Sequence, residues 1–242
     1  MESSPTFNYG WDIIDLKHST FLTNATIFLK ILLELKNEDT ATVKKNLNRK
    51  FVKLVFDKLI LDDNRKEDIL KYNKVINEED IFALHIIRII CEEAKLVQCR
   101  KKKFIVTSKG KELLSEERAG ELFYELFNCY FTKFNIGYVD RFAEMDSVQQ
   151  TIGYSFCRLS EIAVDWLKVE ELFDKILLPK VKKEVEKVLP SVIEPYWIVW
   201  SRIVRPLRDF GLLECRYKGN RNRGIEAVRK TGLWDGFMRI EL

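Results

Sequence analysis

Histidine is almost missing from this chain, which has only His18 and His85, and none of its five cysteines forms a CxxC pair. Without closely spaced cysteines or histidines, a zinc site of the usual spacing is not encoded. Glycine is scarce too: ten residues, none arranged as GxGxxG or as GxxxxGK followed by Ser or Thr, so no phosphate-cradling loop is expected. The nucleophile elbow GxSxG does not occur either. Long apolar runs are also lacking. The greasiest stretches, around Thr26 to Leu35 and Ile81 to Cys91, are broken by Lys30, Glu34, His85 and Arg88. They fall short of the ~20 apolar residues that a bilayer span needs. Met1 to Asp15 has no apolar core flanked by positive charge, so no signal peptide is expected and a cytoplasmic location follows. These absences leave no expected cofactor, metal ligand or catalytic residue, and the chain is not read as an enzyme.

What remains is the composition of an ordinary globular protein, 46% apolar and 32% charged, long enough at 242 residues for one large core or two smaller ones. The cysteines, Cys91, Cys99, Cys129, Cys157 and Cys215, sit mostly in apolar runs and are expected to pack as small hydrophobes. His85 reads as a core histidine bonded to backbone. The adjacent acids Asp62-Asp63, Glu78-Glu79, Glu92-Glu93 and Glu170-Glu171 read as solvated surface or helix-start charge.

Apolar residues at helical spacing from Phe21 to Leu35 predict a helix over Ser19 to Lys36, and Phe51 to Ile60 predict another over Arg49 to Leu61. Between them, Thr40 or Thr42 is expected to cap a short helix through Leu47. Asn77 caps a third run, Glu78 to Lys95, apolar on nearly every side. Two strand-like segments follow, Leu96 to Cys99 and Phe104 to Thr107, joined by Arg100-Lys101-Lys102-Lys103, with Ser108 capping the next helix. A similar order returns near the C-terminus. Pro195 to Phe210 reads as helix, Gly211 as its stop, Leu212 to Tyr217 and Ile225 to Thr231 as strands around a basic turn, and Gly232 to Phe237 as a terminal turn. The middle is helical and aromatic-rich, from Phe123 to Phe142, and this stripe is expected to be core. Two more helices follow, about Val148 to Leu167 and Val169 to Leu189, with Pro179 bending or splitting the last.

Ile105-Val106-Thr107-Ser108-Lys109-Gly110-Lys111-Glu112-Leu113-Leu114 is similar to the wing and following helix of many DNA-binding repressors. With Thr40-Ala41-Thr42 and Asn46-Leu47 it resembles a loosely defined group of prokaryotic winged-helix proteins of uncharacterised function. Those carry a TATGNL segment, where this chain has Val43-Lys44-Lys45 in place of the single glycine. The resemblance covers two stretches and not the aromatic middle; with the recurring order of helix, basic hairpin and helix, the expectation is a mainly α chain with small antiparallel β-hairpins, in which two winged-helix-like units, residues 1–118 and 191–242, are joined by a helical, aromatic-rich segment, 119–190.

The functional expectation rests on clustered cations: Lys44, Lys45, Arg49 and Lys50 in the first unit, Arg100, Lys101, Lys102 and Lys103 on its hairpin, and Arg216, Lys218, Arg221 and Arg223 on the second hairpin. Arg202, Arg205 and Arg208, three apart, are the expected reading face. Such a set suits double-stranded DNA, since cations neutralise phosphates and fix a protein on the duplex. Against it stand a net charge of only +4 and a helix, Ile81 to Ile90, too apolar to read bases. A protein-interaction or scaffold role, with another protein as partner, is the alternative.

Overall fold

Strand β1 (Pro5–Phe7) pairs antiparallel with the last strand of the chain, Thr6 opposite Arg239. Three residues at each end make this ribbon, and neither has a strand pattern of its own. The computed structural model describes residues 5–36, 38–61, 65–142, 145–219 and 224–240. It is mainly α with small antiparallel sheets, and no helix among the described residues is long and apolar enough to cross a membrane. The chain packs as two units, Trp11–Cys129 and a second made of Met1–Gly10 with Tyr130–Leu242.

In the first unit, Ser19 ends the preceding turn and its Oγ accepts from the Leu22 N–H at 3.1 Å, starting α1 (Thr20–Glu34). Phe21, Leu22, Ala25, Phe28, Leu29 and Leu32 give α1 one buried face. Asn48 caps α2 (Arg49–Lys58) through the Phe51 N–H, and Phe51 meets Phe28 edge to face at 5.9 Å. Next come α3 (Arg65–Tyr72), which buries only Ile69, then a 3-10 turn over Glu78–Asp80 and α4 (Phe82–Glu93). The hairpin β2 (Val97–Arg100) and β3 (Lys103–Val106) follows, with α5 (Ser108–Leu113). Helix α6 (Ala119–Thr132) carries the chain across the unit boundary.

Two local expectations are corrected here. No helix runs from Thr40 to Leu47. Ala41 bridges Leu47, and the Thr42 N–H donates to the Asn46 carbonyl at 2.7 Å, closing a tight turn. Threonine and asparagine side chains that can cap a helix serve equally well in a turn. Helix α5 is capped by Thr107, one residue before Ser108; its Oγ1 accepts from the Gly110 N–H at 3.1 Å and donates to the Lys95 carbonyl at 2.8 Å.

In the second unit, α7 (Asp146–Gln150) and α8 (Ile152–Ile162) precede β4 (Leu167–Lys168), α9 (Val169–Ile176) and α10 (Pro179–Val188). Pro179 stands in the first turn of α10, where its missing N–H leaves no bond unmade. Helix α11 (Tyr196–Val199) passes through a π-helical turn, Trp200–Val204, into α12 (Arg205–Asp209). Then come β5 (Leu213–Tyr217), β6 (Ile225–Lys230), α13 (Gly232–Phe237) and β7 (Met238–Ile240). The sheet order is β4-β6-β5, and the core includes Phe131, Phe156, Phe210 and Trp234. Of the aromatic stripe read in the sequence, Phe123, Phe127, Tyr130, Phe131 and Phe134 are buried.

The hairpin of the first unit is fixed to α5 by one close approach. A Cβ on Gly110 would stand 2.4 Å from the Leu96 carbonyl oxygen and 2.8 Å from a Val106 methyl. Gly110→Ala should therefore force the hairpin and α5 apart and destabilise the chain by about 1–3 kcal/mol. A urea midpoint equal to that of the unaltered protein would contradict this packing.

Candidate functional site

Two lysine-bearing turns of the first unit are held side by side by backbone. The N–H groups of Thr40 and Ala41 both donate to the Lys102 carbonyl, at 3.2 and 2.9 Å, and the Phe104 N–H donates to Thr40 Oγ1 at 2.8 Å. The segment leading into the Lys44-Lys45 turn is thereby tied to the Lys101-Lys102 turn of the hairpin. Lys44, Lys45, Arg100, Lys101 and Lys102 are all exposed, and none forms an ion pair with a carboxylate among the described residues. Lys103 is half-buried. Arg49 and Lys50 behave differently, Arg49 donating to Asn77 Oδ1 at 3.0 Å and Lys50 pairing with Glu38 at 2.6 Å.

The turns share a second property. Lys45, Lys101 and Lys102 lie at φ of 61, 47 and 62°, in the left-handed region. A two-residue hairpin loop with both central residues at positive φ ordinarily takes Asn-Gly or Asp-Gly. Lysine there carries a steric cost of order 1–3 kcal/mol per residue, tolerated only where surrounding structure imposes the conformation.

That surrounding structure is a buried polar cluster. Glu78 is 1% exposed; it accepts from the Leu47 N–H at 2.5 Å, from Arg88 Nε at 2.5 Å and meets His85 Nδ1 at 2.6 Å. Arg88 also pairs with Glu92 and lies 5.7 Å from the centre of the buried Phe104 ring. The cluster thus grips Leu47 at the end of one cationic turn and Phe104 beside the other. Burial pushes the Glu78 carboxyl up, but hydrogen bonds from His85, the Leu47 amide and Arg88 outweigh it and hold it below its ordinary 4.5. Burial lowers Arg88, and Glu78 more than restores it.

His85 is buried, as expected of a core histidine, and Glu78 stands in the turn that opens α4, as expected of helix-start charge; the solvated alternative for Glu78 is corrected by its burial against His85 and Arg88. Asp62 and Asp63 lie outside the described residues. The sequence carries a signal, since His85 and Arg88 stand three apart within the apolar run Phe82 to Cys91 and two buried donors require an acceptor. Leu84, His85, Ile86, Ile87, Arg88, Ile90 and Cys91 are all buried, so α4 offers no face for reading bases, as its composition implied.

The expected reading face of the second unit is absent. Arg202 is 1% exposed, and its guanidinium binds Asp140 at 2.7 and 2.9 Å, the Met145 carbonyl at 2.8 Å and the Phe142 carbonyl. Spacing of three puts side chains near one face without saying which face, and the π-helical turn under Arg202 shifts the register. Here the guanidinium's donors serve the Asp140 carboxylate and two backbone carbonyls in place of water. Arg205 is half-buried. Arg208 is held by Asp209 at 2.6 Å and by the Tyr217 hydroxyl at 2.9 Å, 5.6 Å from the Trp200 ring centre.

On the second hairpin every described cation has an acid: Arg216 with Glu226 at 3.3 Å, Lys218 with Glu170 at 2.6 Å, Arg229 with Glu214 at 2.7 Å, Lys230 with Asp235 at 2.6 Å. Arg221 and Arg223 lie outside the described residues. The Cys215 thiol of β5 is pushed up to about 12 by burial, which leaves it no thiolate for nucleophilic work.

Residues 17–120 match the family model of the Y4jL N-terminal domain, a span that lies within the first unit. No curated protein and no solved structure matches the chain.

The lowered Glu78 carboxyl fixes a pH dependence. Its contribution to stability is fully present above the ordinary value of 4.5 and is lost as pH falls through the lower folded value. At neutral pH, Glu78→Gln leaves Arg88 buried without its charge partner and should cost ~3–5 kcal/mol. Urea unfolding of both proteins should show that gap narrowing under acid conditions. A gap that stays constant from neutral to strongly acidic pH would contradict the assignment.

Proposed function

We propose that the first unit is a winged-helix module that binds the phosphate backbone of double-stranded nucleic acid through its two cationic turns, without reading bases. The order of elements supports the module. A helix, a short extended segment at Thr40–Ala41, helices α2 to α4, a hairpin and a further helix succeed one another, and the extended segment bonds to the second hairpin strand.

The observation that carries the binding reading is the set Lys44, Lys45, Arg100, Lys101 and Lys102: exposed, joined by backbone bonds, and without acid partners among the described residues. Unpaired cations surrender condensed counterions when they meet phosphate, and this is the main source of sequence-independent affinity. Three of the five hold a backbone conformation that lysine disfavours. A turn needed only for chain reversal is better served by Asn-Gly, so the retained charge is the feature that the conformation serves. The buried α4 supplies no base contacts, and this limits the reading to backbone recognition. No catalysis is assigned to either unit.

Anisotropy of a short fluorescent duplex across a salt series tests the proposal. Five phosphate contacts should give a slope of log K against log salt of about −4.5, with little change between unrelated sequences. Replacing Lys44, Lys45, Arg100, Lys101 and Lys102 by Ala should remove most of that slope, whereas Arg202→Lys should leave it unaltered in protein that remains folded. No binding at low salt, or binding untouched in the five-residue variant, would sink the reading.

A further inference from the structure

The first hairpin has a counterpart in the second unit, matched at the backbone but different in how its described cations are paired. Leu96-Val97-Gln98-Cys99-Arg100 corresponds to Leu212-Leu213-Glu214-Cys215-Arg216. In each unit a residue at positive φ, Lys95 or Gly211, ends the helix before the hairpin. In each, the next leucine N–H reaches back into that helix, Leu96 to the Cys91 carbonyl at 2.8 Å and Leu212 to the Leu207 carbonyl at 2.9 Å. A threonine closes both hairpins in the same way. Thr107 Oγ1 donates to Lys95 O and Thr231 Oγ1 to Gly211 O, each at 2.8 Å, while their N–H groups bond to Leu96 and Leu212. The elements around them follow one order too, from α1 to α5 and from α8 to α13, with Thr40–Ala41 and β4 in equivalent places beside the second hairpin strand.

The charge environment separates the copies. Arg100, Lys101 and Lys102 form no ion pair with an acid among the described residues, but Arg216, the partner of Arg100 in the alignment, is paired with Glu226 and lies 5.0 Å from the Trp166 ring centre. Arg229 flanks the same indole at 4.8 Å while paired with Glu214, and Glu170 holds Lys218. A cation already neutralised by a fixed carboxylate has few counterions to release, and the carboxylate repels an incoming phosphate.

Resting on the reading of the first unit's turns as a phosphate surface, we infer that Glu170, Glu214 and Glu226 are specificity residues that mask the second hairpin and confine polyanion binding to the first unit. The masking pairs are exposed, so they add little to stability and their removal leaves the fold in place.

Four full-length proteins test this against the fluorescent duplex. They are the unaltered chain, the five-alanine variant of the first unit, the variant Glu170→Gln, Glu214→Gln, Glu226→Gln, and the combination of both sets, each checked for an unchanged thermal melt. Three unmasked cations should steepen the salt slope by about 2 to 3 and raise low-salt affinity roughly tenfold or more. The combined variant should recover binding that the alanine variant has lost. The inference is overturned if the glutamine variant binds as the unaltered chain does and the combination stays as weak as the alanine variant. An unaltered chain that binds nothing overturns the reading of the first unit instead. In that case a gain on unmasking still supports the mask and no gain removes it.

Discussion

One buried carboxylate organises the first unit. Glu78 accepts from the Leu47 amide, Arg88 and His85, and Arg88 in turn lies along Phe104, whose amide is bonded to Thr40. Through these links a single acid in the turn before α4 fixes the end of one surface loop and the base of another. Burying such a charge is costly unless every oxygen is satisfied. A shift of either cationic turn would break a bond to a buried group that has no water to replace it. This is how lysines are kept at positive φ.

The second unit uses the same logic for a different end. Arg202 is its buried hub, binding Asp140 and two carbonyls of the segment between α6 and α7, and its charge is spent wholly on the interior. Outside, acids on β5, β6, α9 and α13 balance the described cations of the hairpin. Two modules of one backbone plan thus differ chiefly in where carboxylates stand. In the first the acid is buried beneath the loops and the lysines are left bare; in the second the acids share the surface with the cations.

Much of the fold could be read from residue spacing. The buried face of α1, the break at Pro179, the stop at Gly211 and both hairpins follow from local chemistry that acts within a few residues. What escaped reading depends on partners far along the chain. Strands β1 and β7 exist only through each other, and two-residue β4 only through β6. The turn at Thr40 to Leu47 takes its shape from a bridge and from Glu78, where local signals equally fit a helix. Of the candidate site, the hairpin lysines were evident as a charge run, but whether a cation is bare or neutralised depends on acids such as Glu170, 48 residues from Lys218. The Arg202 spacing gave a face without a direction, and burial chose the inward one.

Lysine footprinting addresses the central claim most directly: the full chain is acetylated with and without a short DNA duplex at low salt, and each modified amine is quantified by mass spectrometry. The account predicts strong protection of Lys44, Lys45, Lys101 and Lys102 in the complex, with Lys218 and Lys230 reacting alike in both samples. Protection centred on the second hairpin, or none at the two cationic turns of the first unit, would contradict it.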